Sequence, residues 1–247
     1  MTDYSYIGSG KIYLKIVGAS AGLVHVGNCS SLKFNIANDK KKLKDYTKPG
    51  GGIYNSVTRI ESVEAALSVH DLSAANLAIA LYGTASAIAA GALVDEQLVG
   101  CYKGGFNKTL FPIDTTVAPV ITSSPAGTTY VSGTDYTVTE SGVEWLSTAT
   151  FTDAATLLID YTKKAGNAVE ALLTSAQEYQ LVFAGLNEAR SGKAVSVEAY
   201  RVKFDPAQVL DLIGDDFGVL EIVGEVLKDT TKNGTTVSQY FHVQVVT

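Results

Sequence analysis

The sequence predicts a mainly β protein, with two packed antiparallel sheets in a β-sandwich or barrel-like arrangement and one flanking α-helix. Three observations favour this fold class. Apolar and polar residues alternate with a period of two in several segments, as in half-buried strands. Clusters of Gly, Ser, Thr and Pro separate short strand-like segments in the middle of the chain. One clear helix signal lies within residues 73–83.

The first two strands are predicted at residues 11–17 and 31–37. Their apolar positions are Ile12, Leu14 and Ile16 in the first and Leu32, Phe34 and Ile36 in the second. Because side chains alternate across a strand, each apolar set occupies one face. Lysines and other polar residues occupy the opposite face of each strand.

A long hairpin loop is predicted between residues 37 and 55, where no clear periodicity is present. Loops longer than about 12–15 residues are uncommon in compact domains and tend to be functional or disordered. The loop contains Lys40, Lys41, Lys42, Lys44, Lys48, Gly50, Gly51 and Gly52. From the residues alone, its lysines fit a solvated hairpin tip, ion pairs with acidic residues of a neighbouring subunit, or contact with nucleic acid.

A long strand and the clear helix follow this loop. Residues 55–70 place Val63, Ala65, Leu67 and Val69 on one face. The alternation breaks near Ile60, which predicts a bulge or a strong bend. Ser73 is a suitable helix N-cap, residues 74–82 favour a helix, and Gly83 ends it.

An inserted small β domain is predicted at residues 112–164. Short strands alternate there with turns, and a block of about 50 residues is large enough for a small domain. Residues 1–111 and 165–247 then form the core domain. Residues 133–138 read Gly-Thr-Asp-Tyr-Thr-Val, and after a turn a later strand ends in Asp160 and Tyr161. This pattern is similar to small β modules of several phage structural proteins, which implies a place on the outer surface of an assembly.

Residues 204–230 contain a predicted short helix followed by a strand. Asp205 and Pro206 begin the helix, and Gly214 ends it. From Val219 the period changes to two, with Leu220, Ile222, Gly224 and Val226 on one face. The other face mixes valines with Glu221 and Glu225, so it matches neither a core face nor a simple solvent face. A last strand is predicted at residues 237–246.

The sequence contains no catalytic, cofactor-binding or metal-binding constellation. His25, His70 and His242 are scattered, and Cys29 and Cys101 are isolated. The Gly-Ser-Gly-Lys run at residues 8–11 lacks the preceding strand and the following Ser or Thr of a phosphate-binding loop. Glu221 and Glu225 are separated by roughly 13 Å along one strand, farther apart than the two carboxylates of a glycosidase. No enzyme activity is expected.

Composition excludes several other classes. A net charge of −6 argues against a protein whose whole surface binds nucleic acid. The N-terminus lacks signal-peptide features, and the apolar run at residues 74–92 is too weak for a membrane span, so the chain is expected to fold in a reducing cytoplasm without membrane insertion. With 18% charged and 46% hydrophobic residues, the chain fits either an obligate assembly or a compact β protein with a neutral surface.

Several stretches resemble tail tube proteins of long-tailed bacteriophages. Residues 204–207 read Phe-Asp-Pro-Ala, residues 212–218 read Leu-Ile-Gly-Asp-Asp-Phe-Gly, and a strand ends in Gly-Glu-Val-Leu at residue 227. Lys-Gly-Gly-Phe at residues 103–106 and the segment from Tyr179 to Tyr200 match as well. These are structural signatures, and together they span most of the chain.

This resemblance implies a structural virion protein, the major tail tube subunit. Such subunits form hexameric rings that stack into a tube, and their inner sheets join into a β-barrel around a lumen. The implied partners are other copies of the chain, the tape-measure protein, the tail terminator, the baseplate or distal tail proteins, and double-stranded DNA in passage. The implied location is the virion tail, assembled in the cytoplasm of the bacterial host. The loop at residues 37–55 would reach the next ring, and Glu221 and Glu225 would line the lumen.

Two alternatives stay open. The tube protein of a type VI secretion system or another contractile injection device shares the expected fold. A carbohydrate-binding or adhesive β module is a different class, but Trp145 is the one tryptophan and the tyrosines are dispersed. A platform of clustered aromatic side chains would favour that second alternative.

Overall fold

A computed structural model describes residues 4–246. Its elements in chain order are β1 (Gly8–Ile16), β2 (Val24–His25), β3 (Cys29–Lys44), β4 (Ile53–Val69), α1 (Ala74–Ala80), β5 (Thr84–Ile88), β6 (Gly91–Cys101), β7 (Phe106–Lys108), β8 (Val120–Ser123), β9 (Tyr136–Thr139), β10 (Gly142–Trp145), β11 (Ala155–Lys163), β12 (Gly166–Glu170), β13 (Glu178–Asn187), a short 3-10 helix (Glu188–Arg190), β14 (Lys193–Phe204), β15 (Leu220–Val226) and β16 (Phe241–Val245). The predicted mainly β fold with antiparallel sheets and a single α-helix is confirmed.

The chain divides into two compact units, the second of which is residues 85–168 and the first the remainder. The expected insertion at residues 112–164 lies inside the second unit, which begins earlier than expected. The reason is that β6 pairs along β11, from Gly91 opposite Lys163 to Cys101 opposite Ala155. β7 likewise pairs with β10. These strands, expected in the core domain, therefore belong to the second unit.

The first unit contains an eight-stranded antiparallel sheet in the order β2-β1-β13-β14-β15-β4-β3, with β16 also paired to β14. β14 has two partners along one edge, β16 near its start and β15 at its end. β2 and β3 end the sheet, and in the described chain the sheet does not close into a barrel.

The core of the first unit lies against one face of this sheet. Ile12 and Leu14 of β1, Leu67 of β4 and Ile222 of β15 belong to one buried cluster. Since these strands are far apart in the strand order, the sheet must curve around its core. Phe34 of the edge strand β3 stacks on Phe241 of β16, with ring centroids 5.0 Å apart.

The helix α1 has Ser73 as its N-cap, as predicted. The Ser73 hydroxyl accepts a hydrogen bond of 3.2 Å from the Asn76 backbone N–H. The buried Asn76 side chain donates to the carbonyls of Val26 and Asp71, both at 2.7 Å. α1 ends at Ala80, and Tyr82 then has a φ of +49°. Within the described chain no helix is long and apolar enough to cross a membrane.

The prediction of a helix at residues 206–213 is wrong, because residues 205–219 form an irregular loop. Two backbone N–H groups at its start bond elsewhere, Asp205 to the Val223 carbonyl at 2.8 Å and Ala207 to the Ala80 carbonyl at 2.7 Å. The apolar residues expected to form a helical stripe are mostly exposed. A short helix is marginal in water without a packed face, so local signals alone did not suffice.

The second unit has its own core between two three-stranded sheets, β7-β10-β9 and β6-β11-β8. Trp145 is central, with its ring in edge contact with Phe151 and Tyr136. Its indole N–H donates to the Asn107 side-chain oxygen at 2.6 Å, which satisfies the polar atom of a buried side chain. A separate two-stranded sheet pairs β5 with β12.

Candidate functional site

Two surfaces contain the residues that the sequence singled out. One is the far end of the β3–β4 hairpin, and the other is the exposed face of β15. Among residues 4–246, no group of three or more His, Cys, Asp or Glu side chains has an arrangement that could hold a metal ion. His25 lies in the two-residue strand β2, and His242 in β16 accepts or donates a 3.0 Å hydrogen bond with the Tyr200 hydroxyl.

The arm, defined as residues 36–61, is the distal part of the β3–β4 hairpin. Nearer the sheet, Val63, Ala65, Leu67 and Val69 of β4 are buried. Beyond them, most arm side chains are exposed on both strands, and none is buried. The expected loop at residues 37–55 is therefore largely strand: Lys40, Lys41, Lys42 and Lys44 lie in β3, and only residues 45–52 form the turn.

Hydrogen bonds inside the turn explain its residue types. The Asp45 carboxylate accepts from the backbone N–H and the hydroxyl of Thr47, at 2.8 and 2.5 Å, and these bonds lower the pKa of Asp45. Gly50 has a φ of +79°, and a Cβ on Gly51 would lie 2.1 Å from the Asp45 carbonyl oxygen. Gly50 and Gly51 are thus required by the geometry of the turn. Lys48 lies in the same turn, and its carbonyl accepts from Gly51 at 3.3 Å.

The lysines of the arm divide between its two faces. A bulge between Ala37 and Asn38, where Glu61 of β4 is the extra residue, confirms the break predicted near Ile60. Beyond it, Lys40 and Lys42 lie opposite Thr58 and Ser56 on one face. Lys41 lies on the other face and makes a 3.2 Å ion pair with Asp39, which is largely solvated and contributes little.

The arm combines positive charge with exposed apolar residues. It contains six basic and three acidic residues, a net charge of +3 in a chain of net charge −6. Its exposed apolar and aromatic side chains are Ile36, Leu43, Tyr46, Ile53, Tyr54, Val57 and Ile60. An isolated two-stranded ribbon is marginally stable in water at best. The arm is therefore suited to packing against another surface.

The exposed face of β15 contains Glu221, Val223 and Glu225, while the alternate positions are buried. Gly224 lies on the buried face, where a Cβ would come within 2.6 Å of the Lys203 carbonyl oxygen and the Phe204 Cα. The close approach of β14 to β15 thus requires glycine at this position.

Polar neighbours surround the two glutamates. The Ser68 hydroxyl donates to the Glu221 carboxylate at 3.0 Å, and Ser31 bonds to Ser68 at 2.8 Å. Glu225 lies opposite Glu64 on one side and Lys203 on the other. The face is therefore acidic along β15 and β4, with basic residues on the adjacent β14. The Glu225 and Glu64 side chains, which are a directly opposed pair, are both exposed.

An ion pair between β13 and β14 is not predicted by the sequence. The Arg201 guanidinium donates two hydrogen bonds to the Glu178 carboxylate, at 2.8 and 2.9 Å. This contact lowers the pKa of Glu178, and Arg201 also donates to the Lys228 carbonyl. No sequence signal links positions 178 and 201, because their contact follows from the register of two strands, which places Glu178 opposite Lys203 and diagonal to Arg201.

Both cysteines are free thiols. Cys101 is fully buried in the second unit, and burial raises its pKa to about 11. Burial, with a smaller effect of Asp71, also raises the pKa of Cys29 in the first unit. Neither thiol is activated as a nucleophile, because activation requires a lowered pKa.

Comparison with known families gave one match over almost the whole chain. The matching family model is described as "Protein of unknown function UCP028589" and covers residues 5–244. A search of curated proteins found no match.

Proposed function

We propose that the chain, which belongs to the UCP028589 family of proteins of unknown function, is the major tail tube subunit of a bacteriophage. In this proposal it is a structural virion protein of the tail rather than an enzyme. Copies form rings, hexameric by the resemblance described above, and the rings stack into a tube. The tube encloses a tape-measure protein during assembly and later conducts double-stranded DNA.

The arm is the observation that carries this proposal. At about 3.3 Å per residue, the nine residues from Ile36 to Lys44 extend roughly 30 Å. The arm has no buried side chain within its own chain, yet it keeps a continuous register from Ala37 to Leu43 apart from its bulge. Exposed apolar residues and a net charge of +3 suit it to an acidic, partly apolar surface on a subunit of the next ring.

The open edges of the sheet support lateral association. β2 pairs with only Tyr13 and Leu14 of β1, and the outer edge of β3 has no partner strand among the described residues. Open edges are templates for pairing with another chain, and closure into a barrel removes them. In the proposed ring, neighbouring subunits supply the missing strands and complete a barrel around the lumen.

The acidic face of β15 supports the proposed channel. Glu221, Glu225 and the neighbouring Glu64 are exposed and lie on adjacent strands. A lumen lined by carboxylates repels DNA phosphates and so keeps DNA from adhering during passage. In this proposal, the tail terminator and the baseplate or distal tail proteins contact only the two ends of the tube.

Electron microscopy tests the proposal directly. The purified chain at high concentration is expected to form rings or tubes with a central channel in negative stain. Sedimentation velocity on the same sample measures the assembled fraction. A protein that stays strictly monomeric over the accessible range of concentration, salt and pH would refute the tube function.

A further inference from the structure

An acidic loop, defined as residues 205–219, exposes large apolar side chains without a partner in its own chain. Ile213 is 99% exposed and Phe217 is 92% exposed, and Val209 and Leu212 are exposed as well. The loop contains four aspartates and no lysine or arginine. Such an exposed apolar patch, flanked by charge, marks an interaction site in a protein that is stable in water.

A cavity of about 350 Å³ lies in the first unit between β1, β2 and α1. Its apolar wall includes Leu14, Ile16, Val24, Ile79, Tyr179 and Phe204. A cavity of roughly 150 Å³ already binds benzene, so this one has room for an aromatic ring and a further aliphatic side chain.

The walls of the cavity are held in place by hydrogen bonds. The Tyr82 hydroxyl donates to the Phe204 carbonyl at 2.6 Å, and the Asn76 side chain donates to the Val26 carbonyl at 2.7 Å. All four residues are buried or partly buried. The cavity is therefore a preformed recess.

The loop is acidic, whereas one basic side chain lines the cavity. Among the described residues, Lys15 is the one lysine, arginine, aspartate or glutamate that lines the cavity, and Asp205 lies near enough to act electrostatically on Tyr82 in its wall. The acidic loop contains Asp205, Asp211, Asp215 and Asp216. The positive charge of Lys15 would favour approach of the acidic loop and disfavour a basic segment.

We propose that Phe217 and Ile213 of one copy insert into the cavity of a second copy of this chain. Both residues stay almost fully exposed in the single chain, so the loop does not occupy its own cavity. The contact is heterologous, since loop and cavity are different surfaces, and such contacts generate rings or filaments. The inference rests on the proposed self-assembly and names one of its contacts.

Cysteine cross-linking in trans tests this contact. A Phe217→Cys protein is mixed with an Ala21→Cys protein, both in a Cys29→Ser background, and treated with a short bismaleimide. Ala21 lines the cavity and is exposed. We expect a heterodimer of the two variants, with at least a tenfold lower yield when exposed Ser141→Cys replaces Phe217→Cys as the control. Equal yields for the two mixtures, or no heterodimer, would overturn the proposal.

A charge exchange gives a second, independent readout. One variant carries Asp215→Lys and Asp216→Lys, and the other carries Lys15→Glu. At low salt each variant alone is expected to assemble at least fivefold less than the wild type. An equimolar mixture is expected to recover, because the basic loop of the first variant meets the negative charge at position 15 of the second. A mixture no better than either variant would contradict the contact.

The two experiments separate this inference from the tube function. If wild-type tubes form but the cross-link and the recovery are absent, the loop–cavity contact is wrong and the tube proposal stands. If the heterodimer forms but no rings or tubes are seen, the contact stands and the tube proposal fails.

Discussion

At the scale of single residues, the buried carboxylate of Asp135 stabilises the second unit through hydrogen bonds to two separate segments. It is 3% exposed and accepts hydrogen bonds from the Val131 N–H at 2.8 Å and from the Thr150 N–H and hydroxyl at 2.8 and 3.0 Å. Burial acts to raise its pKa, but these hydrogen bonds outweigh burial and lower it. The ionised form is therefore the one that the fold requires.

Asp135→Ala is expected to lower the free energy of unfolding of the second unit by about 2–4 kcal/mol, because two backbone N–H groups lose their acceptor. The folded pKa lies below the unfolded value of about 3.9, so the carboxylate stabilises the fold above that pH. Its contribution is lost as the pH falls through the folded pKa. Urea unfolding followed by Trp145 fluorescence at pH 7 and pH 3 measures both effects. An Asp135→Ala variant that loses as much stability at low pH as the wild type would contradict this assignment.

Glu221 and Glu225 provide a prediction about passage of DNA. Replacing both with lysine is expected to leave tubes able to form and to slow DNA ejection, because a basic lumen attracts phosphates. Phage particles carrying the variant and a fluorescent DNA reporter measure the rate. The matched control is Glu221→Gln with Glu225→Gln, which removes charge without reversing it. Unchanged ejection with the lysine variant would place these residues outside the lumen.

The buried and exposed faces of β15 follow from the sequence, because a period of two is a local property of a strand. The residues that contact its glutamates do not follow from the sequence. Ser68 is 153 positions from Glu221, and Lys203 pairs with Glu225 only through the register of two strands. A single sequence has no signal for such register.

At the scale of elements, the arm is expected to be required for assembly but not for folding of the first unit. Deleting residues 40–52 is expected to leave the first unit folded, since the core-forming part of β4 begins at Val63. Stacking is expected to fail, because the basic and apolar surface of the arm is lost. Circular dichroism and the thermal midpoint check the fold, and electron microscopy checks for tubes. Tubes of normal length after this deletion would rule out a role in stacking, and Thr47→Ser serves as a conservative control in the turn.

Two elements differ from the sequence predictions for opposite reasons. The arm was expected to be a loop because lysines fill both of its faces, so its strands lack an alternating apolar pattern. The segment 206–213 was expected to be a helix because its caps and apolar spacing are adequate locally. In each case, the missing information is what the element packs against.

At the scale of the whole molecule, the two units have separate cores and one tryptophan. Trp145 is 2% exposed in the core of the second unit. Its fluorescence is therefore a reporter of unfolding in that unit. The sequence does not predict the boundaries at residues 85 and 168, because β6 pairs with β11 across more than fifty residues.

Leu157→Ala, in the core of the second unit, is expected to lower the midpoint of the Trp145 transition, since such a truncation costs about 2–5 kcal/mol. Ile222→Ala, in the core of the first unit, is expected to leave that midpoint within error while lowering the stability seen by circular dichroism. Denaturant titrations of both variants provide the comparison. Equal shifts of the Trp145 midpoint would show that the chain unfolds as one cooperative body.

The high pKa values of the two thiols affect how readily the protein is oxidised. A thiol with a pKa of about 11, like that of Cys101, is ionised to roughly one part in ten thousand at pH 7. Met1 is the one methionine of the sequence, so within residues 4–246 neither core contains a thioether that could become a sulfoxide. Peroxide and dissolved oxygen thus find few reactive sulfur atoms. A particle built from this chain would have no disulfide to lose.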